Sequence, residues 1–169
     1  METETLLKGK MVLIVDDEPD ILAALTELLS ACKIDRASTF EAAKEFLEKE
    51  YYDVAVLDIM GVKGFELLQI SAKRGIPTLM LTAHALDKES LKRSAEEGAS
   101  YYVPKEEIDK IDVFLADVIE AREKNKNPWA KWVERLGAYF DGSKNFSGPN
   151  WREENRKFWD EKLKNIRYV

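Results

Sequence analysis

Through the first 121 residues, short apolar runs alternate with amphipathic stretches of helical length. Three of the runs, KMVLIVD at 10–16, DVAVLD at 53–58 and PTLMLT at 77–82, are almost continuously hydrophobic, as strands covered on both faces must be. KIDRA at 33–37 interleaves Lys33, Asp35 and Arg36 and predicts an edge strand, and SYYV at 100–103 predicts a fifth strand. Ile21, Leu22, Leu25, Leu28 and Leu29 recur three and four residues apart behind Pro19, which predicts a helix over 19–32. Helices are also predicted over 40–49, behind Ser38 and Thr39 as caps, and over 65–74 and 87–97, stopped by Gly75 and Gly98. A last one is predicted over 106–120, where Ile108, Ile111, Leu115 and Val118 share a face. Five strand-helix units in alternation predict an α/β fold, a doubly wound five-stranded parallel sheet.

The pattern changes near residue 122. Trp129, Trp132, Val133, Leu136 and Phe140 repeat at helical spacing, as do Trp151, Phe158, Trp159, Leu163 and Ile166, on either side of a loop-like DGSKNFSGPN at 141–150. Charge changes as well: residues 1–121 hold 14 Lys+Arg against 25 Asp+Glu, a balance of −11, whereas residues 122–169 hold 12 against 7, a balance of +5. The chain therefore divides into a domain over 1–121, a linker or continuation of the last helix over 122–127, and an aromatic-rich helical extension over 128–169. So short an extension seldom supports a core of its own, and its rings are expected to bury on the domain's surface, across a homodimer or on an output protein. The opposite charge balances favour the first two.

Other classes fit less well. DNA binding would need a three-helix unit with a dense basic face, which the extension lacks. Glu153, Glu154, Asp160 and Glu161 argue against a membrane-surface helix, and no apolar run approaches the roughly 18 residues that span a bilayer. Cys32 is the single cysteine, so no intrachain disulfide forms, in keeping with a cytoplasmic protein.

The chemistry is expected where the strands end. The first closes on Asp16 and Asp17, the third on Asp58 and the fourth on Thr82, and Lys105 follows the fifth. In an open parallel sheet these carboxyl ends form the ligand-binding edge. Individually, each residue has an ordinary explanation: the aspartates as turn formers or caps, Thr82 as a strand residue, Lys105 as a solvated cation. Jointly, an acid pair, an acid, a hydroxyl and a lysine on separate strand ends suggest one cleft. Carboxylates gathered there repel one another, so the cleft takes up protons or recruits a hard cation, and Mg²⁺ with its preference for oxygen suits it. Lys105 and Thr82 suit phosphoryl oxygens.

VDDEPD at 15–20, VLD at 56–58, LTA at 81–83, EEGAS at 96–100 and YYVPK at 101–105 together resemble the receiver domain of two-component response regulators over about 120 residues. The resemblance implies a flavodoxin-like sheet of order 2-1-3-4-5. It implies that Asp58 accepts a phosphoryl group from a histidine kinase or phosphotransfer protein, and that Asp16, Asp17, Asp58 and the Met60 carbonyl hold Mg²⁺. It further implies that Thr82 and Lys105 contact the phosphoryl group, and that Thr82 and the aromatic Tyr102 form a switch toward a face made by the fourth helix, fifth strand and fifth helix. Such a chain is not a conventional enzyme; it catalyses its own phosphorylation and slow dephosphorylation. A phosphatase of the haloacid dehalogenase type would place an acid two residues beyond Asp58, where Met60 stands, and His84 is a further residue expected to tune the lifetime. Three departures from the family are visible: a short loop IMGVKG after Asp58, Pro104 before rather than after Lys105, and about one extra residue between Thr82 and Gly98. With Pro104 so placed, a trans Lys105–Glu106 bond is expected. The reading is a stand-alone receiver without a conventional effector domain; the alternative is a degenerate receiver serving as a constitutive interaction or dimerisation scaffold.

Overall fold

The structure, a computed structural model, describes residues 2–83, 88–142 and 151–164. Five parallel strands, β1 (Met11–Val15), β2 (Lys33–Ala37), β3 (Val54–Asp58), β4 (Thr78–Thr82) and β5 (Tyr101–Pro104), form one sheet of order β2-β1-β3-β4-β5. Every residue of β3 and β4 is buried, which is why those runs are apolar except at Thr78, Thr82 and Asp58. β2 lies at one edge and keeps only Ala37 fully buried, as its charges predict.

Helices α2 (Pro19–Leu28), α3 (Phe40–Lys49), α4 (Gly64–Lys73), α5 (Lys88–Glu96) and α6 (Ile111–Glu123) join and follow the strands. Proline opens α2, where a missing N–H costs nothing. Of the two candidate caps for α3, Thr39 acts: its hydroxyl accepts from the Ala42 N–H at 3.1 Å. Three expectations need correction, the first being that the helix expected over 19–32 ends at Leu28 and leaves residues 29–32 as the turn into β2. The helix expected over 106–120 is a 3₁₀ turn over Lys105–Lys110 followed by α6, because Lys105 is tied back to the acidic strand ends and the chain leaves that anchor tightly wound. A short helix α1 (Thr3–Leu7), absent from the sequence reading, buries Leu6 and Leu7 and packs on α6, where Lys10 pairs with Glu123 at 3.0 Å. All described peptide bonds are trans, including Lys105–Glu106.

α6 continues to Glu123, Asn125 takes a left-handed conformation, and Asn127 caps α7 (Pro128–Trp132) by accepting from the Trp129 N–H at 3.0 Å. A π-turn over Val133–Gly137 carries α7 into α8 (Ala138–Gly142), and α9 (Trp151–Glu154) and α10 (Arg156–Lys164) follow. Trp129, Trp132, Leu136, Phe140 and Trp159 belong to the same buried cluster as the sheet. The extension thus lies on the chain's own domain, along the β5 edge. The indole N–H groups of Trp129 and Trp132 donate to the carbonyls of Ala99 (2.9 Å) and Tyr102 (2.7 Å), satisfying groups that an edge strand would otherwise present to water. Arg135 reaches across to the buried Asp117 of α6, which also accepts the Tyr101 hydroxyl at 2.6 Å. At the far end, the Lys162 ammonium donates to the Ala95 carbonyl at the end of α5 at 3.0 Å, a cation where a helix dipole favours one. Among the described residues, no helix is long and apolar enough to cross a membrane.

Candidate functional site

The sheet order reverses between β1 and β3, and the acids flank that point. Asp16 and Asp17 follow β1, Asp58 ends β3, and one oxygen from each lies within 4.8 Å of the other two. Asp16 and Asp58 are buried and Asp17 is exposed, so the cluster has two dry carboxylates and one facing solvent. Strand register brings in the rest: Asp58 pairs with Leu81, the neighbour of Thr82, and Thr82 pairs with Pro104, the neighbour of Lys105. The Lys105 ammonium stands 2.9 Å from Asp16 Oδ2, 3.3 Å from Asp58 Oδ1 and 2.6 Å from Glu18 Oε1.

Glu18 was not among the residues singled out in the sequence, although it lies within VDDEPD; nothing in periodicity separates it from a solvated acid at a helix start. The exposure of its side chain, 57%, makes it the outer partner of Lys105. Asp16 also organises the turn, since its Oδ1 accepts from the Glu18 N–H at 2.9 Å.

The electrostatics of the two sides differ in sense. Burial, then repulsion from Asp16, pushes Asp58 from 3.8 up to about 7, against the pull of Lys105. Burial likewise raises Asp16. Burial works to lower Lys105, but hydrogen bonds to Glu18 and Asp16 and the charge on Asp58 outweigh it and hold the ammonium firmly protonated. One lysine therefore does not offset the carboxyls it faces, and the cluster retains an appetite for positive charge.

The loop after β3 shapes the mouth of the cleft. Gly61 has φ +77°, and a Cβ there would fall 2.6 Å from the Asp17 carboxylate, so only glycine leaves space beside that acid. Gly64 comes as close to the Asp58 carbonyl, where a Cβ would sit at 2.2 Å. The Met60 carbonyl accepts from the Val62 N–H at 2.8 Å in this tight turn, which uses one of its two acceptor positions, and the Met60 side chain is 69% exposed. Clustered oxygen donors, the buried Asp16 Oδ2 with an ion pair but no aligned hydrogen bond, and the space kept by Gly61 fit a small hard cation. Tyr102 is fully buried, paired with Met80, with its ring 5.8 Å from that of Phe140. The structure brings Asp16, Asp17, Asp58 and Lys105 together, places Thr82 beside them in register, and sets Tyr102 one strand away from Asp58's neighbour β4. His84 lies outside the described residues.

Known proteins are similar to this chain in sequence and fold. Residues 12–116 match the family described as the response regulator receiver domain. The two-component response regulator ARR18 of Arabidopsis thaliana is 36% identical over 103 residues, covering 57% of this chain and 16% of that protein. The heme response regulator HssR of Staphylococcus aureus is 42% identical over 100 residues, covering 55% of this chain and 43% of that protein. The chain thus spans less than half the length of these curated relatives. Among solved structures, a CheY-like response regulator receiver domain protein from Methanospirillum hungatei JF-1 is similar with a TM-score of 0.56 at 27% identity, over 68% of this chain and 99% of that one. The BeF3-activated DrrB receiver domain gives a TM-score of 0.53 at 25% identity, over 63% and 97%. Sheet order, strand-end acids and a family match across most of the chain lead to one conclusion: this chain belongs to the response regulator receiver family of two-component systems.

Proposed function

We propose that Asp58 accepts a phosphoryl group from the phosphohistidine of a sensor histidine kinase or histidine phosphotransfer protein in the cytoplasm, and that an output protein reads the modified state. The observation that supports this most is the burial of Asp58 at a strand end, in a cluster of three carboxylates and 3.3 Å from a lysine ammonium. In the transfer, an Asp58 oxygen attacks phosphorus; the new P–O bond forms as the P–N bond breaks, and the released imidazole takes up a proton. Asp16, Asp17 and Asp58 are the residues that would hold Mg²⁺, with the second lone pair of the Met60 carbonyl as a further donor. When bound, the ion supplies positive charge that offsets the phosphoryl oxygens and the acids around them.

The chain's own groups do the remainder. Lys105, now shared among carboxylates, can pass to an oxygen of the arriving group, and Thr82 offers a hydroxyl donor from the adjacent strand end. Met60 stands two residues beyond Asp58 and supplies neither acid nor base, so water is not activated there and the acyl phosphate persists. Such persistence suits a signal. Tyr102, on the strand that pairs with β4, is the residue through which a movement of Thr82 would repack the β5 face.

Acetyl phosphate with Mg²⁺, followed by intact mass, tests the proposal. The wild-type chain is expected to gain one phosphoryl mass and Asp58→Ala none. A wild-type chain that gains nothing would support a constitutive interaction or dimerisation scaffold instead.

A further inference from the structure

We propose that segment 128–142 is a strap, held on the β5–α6 face in the unmodified chain and released from its α8 end when Asp58 is phosphorylated. This rests on the phosphoacceptor reading above. Two contacts join the strap to parts of the domain that answer to Asp58. The first is at β5: the Tyr102 carbonyl accepts the Trp132 indole N–H, and Phe140 lies against the Tyr102 ring while stacking on Trp132 at 5.4 Å. The second meets the residue that follows Lys105. The Tyr139 hydroxyl donates to the Glu106 carboxylate, and Glu106 directly follows Lys105, whose ammonium joins Asp16, Glu18 and Asp58.

A phosphoryl group adds about 1.5–2 negative charges and strong acceptor oxygens at Asp58. Lys105 is then drawn from Glu18 and Asp16 toward it. The 3₁₀ turn over Lys105–Lys110 begins at that residue, so Glu106 shifts with it and Tyr139 loses its acceptor. The other anchors do not report on the site: Trp129 holds the Ala99 carbonyl ahead of β5, and Arg135 holds Asp117 on α6. They serve as the hinge, and the strap opens beyond them, uncovering the face around Tyr102 that Phe140 occupies.

The test uses the full chain with acetyl phosphate and Mg²⁺, following phosphoryl uptake by intact mass and amide exchange by peptide mass in the same samples. On uptake, exchange over 136–142 is expected to rise by about 5-fold or more, the scale of an ordinary coupling energy, while 128–132 changes by less than about two-fold. Tyr139→Phe keeps the ring and removes only the hydroxyl that meets Glu106. It is expected to take up phosphate normally and to show faster exchange over 136–142 before any modification. Uptake without faster exchange would overturn the strap and leave the phosphoacceptor reading standing; absence of uptake would overturn both. Unchanged exchange in Tyr139→Phe would overturn the route through Glu106.

Discussion

Lys105 is within reach of Asp16, Glu18 and Asp58 at once, yet Asp58 remains a reluctant anion because burial and Asp16 act against its ionisation. The consequence for stability has a definite sign. Asp58 titrates near 7 when folded and near 3.8 when unfolded, so the folded chain binds its proton more tightly. Its contribution is therefore fully present below the unfolded value, is lost as pH rises toward the folded value, and is flat above. In metal-free buffer at pH 8, Asp58→Asn is expected to be more stable than wild type by about 2–4 kcal/mol, and the gap is expected to close near pH 4. Urea melts of both proteins across that range check it; a variant no more stable than wild type at pH 8 would show that Lys105 already compensates the acid. At this scale the sequence was informative where motifs carried meaning. Asp16, Asp17, Asp58, Thr82 and Lys105 were all legible from strand ends, because a parallel sheet sends those ends to one edge. Glu18 was not, because its role depends on how far Lys105 reaches, which no spacing records.

The elements were legible in proportion to their burial. β1, β3 and β4 read clearly because both faces are covered, and β2 read as an edge because charge is tolerated there. α1 was invisible: five residues are too few to display a helical period, and its helical form goes with burial of Leu6 and Leu7 and packing on α6. The start of the helix expected at 106 was misplaced because Ile108 fits the apolar period of α6 while the backbone there answers to Lys105 instead. In the extension, aromatic spacing announced helices but not their docking partner. Asp117 shows what decides it: a buried carboxylate on α6 that Tyr101 and Arg135 both serve, the latter from the extension. Arg135→Ala removes the charged partner and is expected to cost about 1–3 kcal/mol, less than a fully buried pair would because the Arg135 side chain is 38% exposed. Asp117→Asn combined with Arg135→Ala should recover part of that loss in the same denaturation assay. No loss in Arg135→Ala would mean that the aromatic rings alone hold the extension in place.

For the whole molecule, one buried cluster runs from the sheet into the extension, so the two parts distinguished by charge are one packed body rather than a domain with a trailing tail. The negative domain and positive extension meet through hydrogen bonds at the β5 edge, the edge that pairs with the strand carrying Thr82. The β1–β3 crevice and the packing at the β5 edge are joined structurally by β4, β5 and the turn that begins at Lys105. Borohydride reduction of the chain after treatment with acetyl phosphate and Mg²⁺ converts an aspartyl phosphate to homoserine, which peptide sequencing by mass spectrometry locates. Homoserine at position 58 alone is the expected result; homoserine at 16 or 17, or at no position, would contradict it.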